Sequence, residues 1–536
     1  VEMTLSITNA TNLFGASSPT IIGTDYKTFM LYLSRLQVNQ SVNLDNSNDA
    51  YNQLEISNSS IDNNNSNTIS GTQSGQTAVA QENLTTTRAS VTLNNNGTIT
   101  LSGVNSTGMY AKFGVINNNS TGVITIGDSS TALYGTSDSI MTNTGKITIG
   151  SNSTGMYSEG STTTNLVNAG TIETSGNGSI GLLYKSGAIA TANDMLVNTG
   201  IINMTGDQNV ALYGTNVSGV TSTYGISNSG TITMGNSSSI NNPNVALYAD
   251  GDTKSVSNSG TITMGANTIG MYGHEASVTG GSLTVGDGGV GIYSQSKNVT
   301  LSGGTITVGG NEAVGVYTLG SGQNIINSGT SINIGNTSYG FVNVGTGNSI
   351  TSSLTNNTLG TNSIYIYSND SSGRVINSTN LTSTGDQNYG IYSAGTVNNS
   401  GNMDLSSGVG NVGIYSVSGG TATNTATISI GASDIDNEFF GIGMAAGFKG
   451  DLNSKPAKQS FSGNIINSGI INVNGKSSIG MYATGSGSTV TNSGNINLNA
   501  DNTTGIFLDN GAKGYNHGTI TTGTPGLNNV VGVYVS

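Results

Sequence analysis

The chain has no cysteine and no tryptophan, four prolines, two histidines and only 8% charged residues in 536. Without cysteine there are no disulfide staples and no thiolate metal sites; a long solenoid needs neither, so the redox compartment stays open. Fourteen Lys and Arg against 27 Asp and Glu leave a net charge of −13, spread along the chain without a basic stripe. A nucleic-acid partner is therefore not expected, because nothing gathers cations to neutralise phosphates. No apolar run reaches the roughly 18 residues of a membrane-spanning helix. Val1-Glu2-Met3 opens directly into Thr- and Ser-rich sequence with no signal peptide, and we read the chain as a piece of a longer protein.

What is present in quantity is Asn, Ser, Thr and Gly, the last at 80 residues, with Ile, Val, Leu, Met and Tyr set among them at intervals. Polar, weakly charged sequence can be disordered, but these apolar residues are too periodic for that. The unit is clearest at Ser255–Tyr272, SVSNSGTITMGANTIGMY. It comprises a polar arm with Asn258-Ser259-Gly260, an alternating run Thr261–Gly265, and Gly270-Met271-Tyr272. Related copies precede Ala246-Leu247-Tyr248, Gly480-Met481-Tyr482 and Gly505-Ile506-Phe507.

Taking the last residue of the third segment as a marker, copies fall at Tyr110, Tyr134, Tyr157, Tyr184, Tyr213, Tyr248, Tyr272, Tyr293 and Tyr317. They continue through Val342, Tyr367, Tyr392, Tyr415, Gly443, Tyr482, Phe507 and Tyr534. A loose period in the twenties with two or three short strands per turn predicts an all-β chain folded as a right-handed parallel β-helix, a solenoid. At a strand spacing of about 4.8 Å, about 17 coils would make a rod of roughly 80 Å. In Thr231-Ile232-Thr233-Met234 the Ile and Met face one side and the threonines the other.

The recurring Asn two places before Gly (Asn95, Asn143, Asn168, Asn198, Asn228, Asn258, Asn327, Asn399, Asn467, Asn492 and Asn516) is expected to form a structural ladder. The Gly after it is expected to supply a positive φ at the corner. The Tyr row is expected to cover a core edge, with a sugar-stacking strip as the alternative. Residues 1–90 fit the repeat poorly and are assigned as an irregular cap or first coils. Within them Asp25–Asn39 has Phe29, Tyr32, Leu33 and Leu36 at helical spacing, which predicts a short helix capped by Asp25. Residues 91–536 are assigned to β-helix repeats.

Chemistry-bearing motifs are sparse. Gly286–Gly291 matches GxGxxG but has no helix after it, so a dinucleotide site fails its context. His274 and His517 lack a second ligand at metal spacing. Asp434 and Asp436 come without an EF-hand loop or nonapeptide repeat around them, so no metal and no cofactor is assigned. The outward strand rows are Thr, Ser and Asn rather than stacked acids, which favours a non-enzyme over a polysaccharide-cleaving β-helix. The largest break in the period, residues 444–463, holds Phe448, Lys449, Lys455, Lys458 and Phe461, a basic and aromatic cluster in an acidic chain. Loops on a rigid scaffold carry binding, so these five residues are the candidate ligand contacts.

The pattern N-[ST]-G-x-I-x-[MIVL]-G followed by S-x-G-[MI]-Y, repeated in an Asn-rich chain, resembles the passengers of large fusobacterial type V autotransporter adhesins. These include arginine-inhibitable and galactose-binding types, and the resemblance covers roughly residues 91–536. It implies a cell-surface rod that mediates coaggregation with other bacteria and attachment to host cells through glycans or receptors. It also implies an outer-membrane β-barrel anchor in the parent protein. The motif is scaffold, so it carries over no ligand residues. A non-binding stalk segment is the further alternative.

Overall fold

In a computed structural model the described residues are 4–7, 35–38, 41–45, 54–57, 60–82, 92–160, 166–187, 191–251, 253–447 and 462–536. Every regular element among them is a β-strand. The chain divides into two compact units, Val1–His274 and Glu275–Ser536.

In the first unit each coil carries three strands. Thr92–Asn95, Thr98–Leu101 and Thr107–Lys112 make one coil; Val115–Asn118, Val123–Ile126 and Thr131–Thr136 make the next. Corresponding strands pair in parallel, Leu93 beside Ile116, Ile99 beside Ile124 and Met109 beside Leu133. Because alternate side chains of a strand face opposite sides, this register stacks like on like. The second strands carry Ile99, Ile124, Ile147, Ile172, Ile202, Ile232 and Ile262 inward, all fully buried. Each such side chain contributes about 1.5–3 kcal/mol by burial. The Thr between them faces out because a hydroxyl keeps its water there. The fold is a parallel β-helix.

The second unit repeats the plan. Its third strands stack Val316, Phe341, Ile366, Ile391, Ile414, Met444, Met481 and Ile506 in one inward row. In two places the first and second strands fuse into one, Glu275–Val285 and Val299–Val308.

Buried asparagines line the corner after the first strand. In the first unit Asn63, Asn95, Asn118, Asn143, Asn168, Asn198, Asn228 and Asn258 form an unbroken chain. Each Nδ2 donates to the next Oδ1 at 2.7–2.8 Å. The second unit has a like chain from Asn377 through Asn399, Asn424, Asn467 and Asn492 to Asn516. All these amides point the same way, an arrangement in which each bond polarises the next. The ladder expected from the N-x-G pattern is present. Asn63, Asn118, Asn377 and Asn424 belong to it although no Gly stands two places after them. Asn327 does not bond another Asn; its amide donates to Thr330 O at 3.0 Å.

The corner glycines work differently from expectation. Gly145, Gly170, Gly200, Gly230 and Gly260 are absent from the positive-φ residues. Their reason is contact: a Cβ on Gly200 would stand 2.1 Å from the carbonyl oxygen of Gly170 in the neighbouring coil. Backbone meets backbone there, and only Gly leaves the room.

Three further expectations are corrected. Arg35–Val38 is a strand, paired with Thr4–Ile7 and Ser60–Asn63, where the end of a helix was predicted; residues 25–34 lie outside the described ones. Leu36 fits the helical spacing from Phe29 and also a period of two with Val38, and pairing with neighbouring strands settles which one is used. Leu183, not Tyr184, pairs with Tyr157 and Tyr213. The one-residue offset sends Tyr184 to the other face, where it is fully buried against Tyr224 with ring centres 5.0 Å apart. Likewise Ala445, not Gly443, lies between Tyr415 and Tyr482. Coils of the same design already occur within 60–82, where Ile61 pairs with Leu93 and Ile69 with Ile99.

Candidate functional site

The outer face of the third sheet carries rings. In the first unit Tyr134 and Tyr157 stack at 5.0 Å and 9°, and Tyr213, Tyr248 and Tyr272 follow one another at 4.8 Å. In the second unit Tyr293–Tyr317 and Tyr367–Tyr392 stack at 5.1 and 5.3 Å. The inward neighbours Met109, Leu133 and Met156 are fully buried while the rings are half-buried. The row is thus an external stack and not the edge of the core. Tyr157 Oη donates to Glu159 at 2.7 Å, and the same carboxylate pairs with Lys185 at 3.3 Å.

Half-burial of a phenol disfavours its anion. Burial, then the neighbouring Tyr213, Tyr272 and Asp250, pushes Tyr248 up to about 12. Burial, then Tyr367 and Tyr389, pushes Tyr392 up to about 12. A raised folded pKa gives stability that is complete below the unfolded value near 10 and is lost as pH rises through the folded one. We expect tyrosinate absorbance to lag and then rise steeply between about pH 10 and about pH 12, together with loss of β circular dichroism. A smooth titration near 10 with the β signal intact would contradict this.

The stack is interrupted in the second unit at Ala445. Its register neighbours are Tyr415 and Tyr482, so the coil withholds a ring where the repeat supplies one. The gap opens into a groove of about 390 Å³. Val412, Ala445, Ile442 and Ile479 line it together with Tyr389, Tyr415, Tyr482 and Phe507. Tyr389 and Tyr415 lie nearly parallel at 12°, their centres 6.2 Å apart, and Tyr392 stands edge-on to both.

The same coil carries an excursion before its third strand, which supplies Glu438, Phe439 and Phe440 to the groove. Asp434 and Phe439 exchange both backbone hydrogen bonds at 2.8 and 2.9 Å, closing a tight loop. Glu438 is held at φ 60°, a left-handed conformation that costs a non-glycine residue about 1–2 kcal/mol. The loop is fastened to the next coil by Ser433 N to Lys476 O at 3.0 Å, and Ser433 Oγ lies 3.1 Å from Ser478 Oγ. Phe439 packs over Gly410, where a Cβ would stand 2.8 Å from that of Phe439. A second depression of about 560 Å³, which shares Gln387 and Phe439 with the groove, is lined by Asp386, Asp434, Asp436 and Lys476 among others. Tyr482 is almost fully buried. Thr484 and Asp509 lie nearby, and burial pushes this phenol up as well.

Of the candidate residues from sequence, Phe448, Lys449, Lys455, Lys458 and Phe461 lie outside the described residues. Met444, at the start of the proposed insertion, belongs to the strand Ile442–Ala446, so the break in the coil pattern begins after it. Asp434 spends its carboxylate on Asn437, accepting from N at 3.2 Å and Nδ2 at 2.7 Å, and these bonds hold its pKa below the usual range. Among the described residues no group of three or more His, Cys, Asp or Glu is placed to hold a metal. Gly286–Gly291 runs through a turn into the strand Val290–Ser294, as its position in the repeat requires. The groove escaped sequence reasoning because its floor is a missing side chain; the signal was Ala445 standing where Tyr415 and Tyr482 stand.

The stacked coils and their inward ladders define a β-helix of pectate lyase-like type. The chain belongs to the family of the BigA third pectate lyase-like domain, which it matches over residues 4–225 and 405–526, well over half its length. This family is of bacterial adhesin type. No curated protein and no solved structure matches the chain.

Proposed function

We propose that this chain is an adhesive segment of a bacterial surface protein, a passenger that holds binding features on a rigid β-helix. The observation that carries the reading is that the coil of the strand Ile442–Ala446 departs from the repeat: a loop closed by Asp434 and Phe439 precedes that strand, and Ala445 stands where its neighbours carry Tyr. In sequence the longest interval between recurring units, which includes residues 448–461, follows the same strand. Family membership supports a surface role. The partners in this reading are receptors or glycans of other bacteria and of host cells, and many weak contacts would sum through avidity. Phe448, Lys449, Lys455, Lys458 and Phe461 form the proposed contact cluster. The outward rows of Thr, Ser and Asn offer no converging acids, which favours binding over polysaccharide cleavage.

The test is attachment of the purified chain to partner bacteria and to host cells, beside a variant lacking residues 448–461. Binding by the intact chain and its loss on deletion, with the β circular dichroism unchanged, is the expected result. Equal binding by both places adhesion elsewhere on the chain. No binding by either makes the chain a spacer and sinks the proposal.

A further inference from the structure

The groove at Ala445 has a composition that selects among ligands. Its walls are aromatic and aliphatic, and its polar side-chain groups are those of Asn362, Gln387 and Glu438 and the hydroxyls of Tyr389, Tyr415 and Tyr482. A hexose brings several hydroxyls, and each one buried without a partner costs about 1–3 kcal/mol. An apolar side chain loses nothing of that kind and gains contact with Tyr389, Tyr415 and Ile479. The surroundings are mainly acidic: Glu438 contributes to the groove, and Asp434, Asp436 and Asp386 line a second depression that shares Gln387 and Phe439 with it, with Lys476 as the one cation in that lining. Among the described residues no ion pair engages these carboxylates. Glu438 is also the residue kept in a strained backbone conformation, so its position is enforced by the loop around it.

We propose that the groove is a binding site for a polypeptide segment that inserts an apolar side chain, aromatic or branched, flanked by lysine or arginine. The inserted side chain takes the place of the ring that Ala445 withholds, between Tyr415 and Tyr482. The flanking cation is attracted by Glu438 and the acidic loop, in the way complementary potentials set specificity and encounter rate. The inference rests on the adhesive reading for its biological role, but the site itself is tested without cells.

Ala445→Tyr restores the side chain found at the same position in both neighbouring coils. It therefore fills the groove with a residue the scaffold already accommodates. The probes are three acetylated, amidated peptides, Gly-Lys-Phe-Lys-Gly, Gly-Glu-Phe-Glu-Gly and Gly-Lys-Ala-Lys-Gly, measured on the whole chain by saturation-transfer NMR and calorimetry. The Lys-Phe-Lys peptide should bind about tenfold tighter than either other peptide, with saturation strongest on its phenylalanine ring. Raising NaCl from about 50 to about 300 mM should weaken it severalfold. Ala445→Tyr should abolish binding, and Glu438→Gln, an exposed change that does not threaten folding, should erase the preference for lysine over glutamate. Equal binding of all three peptides, or undiminished binding by a folded Ala445→Tyr chain, overturns the site. Displacement of the peptide by methyl glucoside overturns the ligand class in favour of a sugar. Self-association that Ala445→Tyr abolishes overturns it in favour of a second copy of the chain. If Ala445→Tyr loses the peptide but still attaches to cells, the adhesive reading stands with its contacts elsewhere; the reverse result separates them the other way.

Discussion

Replacing Asn198 by Ala is expected to destabilise the middle coils of the first unit by about 3 kcal/mol. Asn198 donates to Asn228 Oδ1 at 2.7 Å and accepts from Asn168 Nδ2 at 2.8 Å, and all three side chains are fully or almost fully buried. The substitution leaves one acceptor and one donor facing a small void. An orphaned buried polar group costs about 1–3 kcal/mol, more than the bond itself contributed. Asn516, at the exposed end of the other ladder, accepts from Asn492 at 2.8 Å, and its loss is expected to cost less than about 1 kcal/mol because water replaces it. Stacked repeats unfold coil by coil, so the readout is hydrogen exchange along the chain beside urea denaturation. Equal, small effects at both positions would mean that the backbone pairs alone carry the stacking. Asn198→Asp goes further. It sets two acceptor oxygens face to face, and burial raises the new carboxyl's folded pKa. The variant should therefore be least stable at neutral pH and recover as pH falls and the acid becomes a donor.

Gly200→Ala is expected to be at least as costly, about 3 kcal/mol or more, through a different route. Its Cβ would stand 2.1 Å from Gly170 O and 2.6 Å from Ala169 C. Both are backbone atoms, so no side chain can swing aside. Relief requires opening the coils at Gly200 N to Asn168 O and at Ile201 N to Gly170 O, bonds of 3.0 and 2.8 Å. Gly219 is the control. Its φ is +83° and nothing lies within 4 Å of its missing Cβ, so Ala there meets only the left-handed penalty of about 1–2 kcal/mol. Local exchange protection and denaturation midpoints separate the two. A mild Gly200→Ala and a severe Gly219→Ala would reverse the roles assigned to contact and to backbone conformation.

Together the two substitutions probe what makes a weakly charged, cysteine-free chain hold its shape. The aliphatic rows supply burial, the amide ladder keeps the corner polar groups bonded, and the corner glycines let the coils approach. None of these devices touches a ligand. The proposed binding features arise where a coil omits one element of the pattern, at Ala445, and adds chain around it.

How far this was legible can be judged residue by residue. The alternation in Thr231–Met234 names both the strand and its buried face, since period two has a single structural meaning. The recurrence of N-x-G located most of the amide ladder, because identical residues one coil apart must meet. The same pattern could not reveal Asn118 or Asn424, whose place depends on strand register and not on a following Gly. Nor could it say why the corner Gly is required, since close approach and positive φ leave the same residue in the sequence. Tyr184 looked like a member of the ring row, and a one-residue offset puts it in the core.

Composition and period by themselves determined the all-β solenoid and the inward and outward faces of its strands, because those follow from local alternation and from repetition along the chain. The tertiary structure alone decided which Tyr side chains form the external stack, that Arg35–Val38 is a strand, and that a groove opens over Ala445. Each of these depends on what the neighbouring coil places a strand spacing away, and a sequence records neighbours along the chain, not across it.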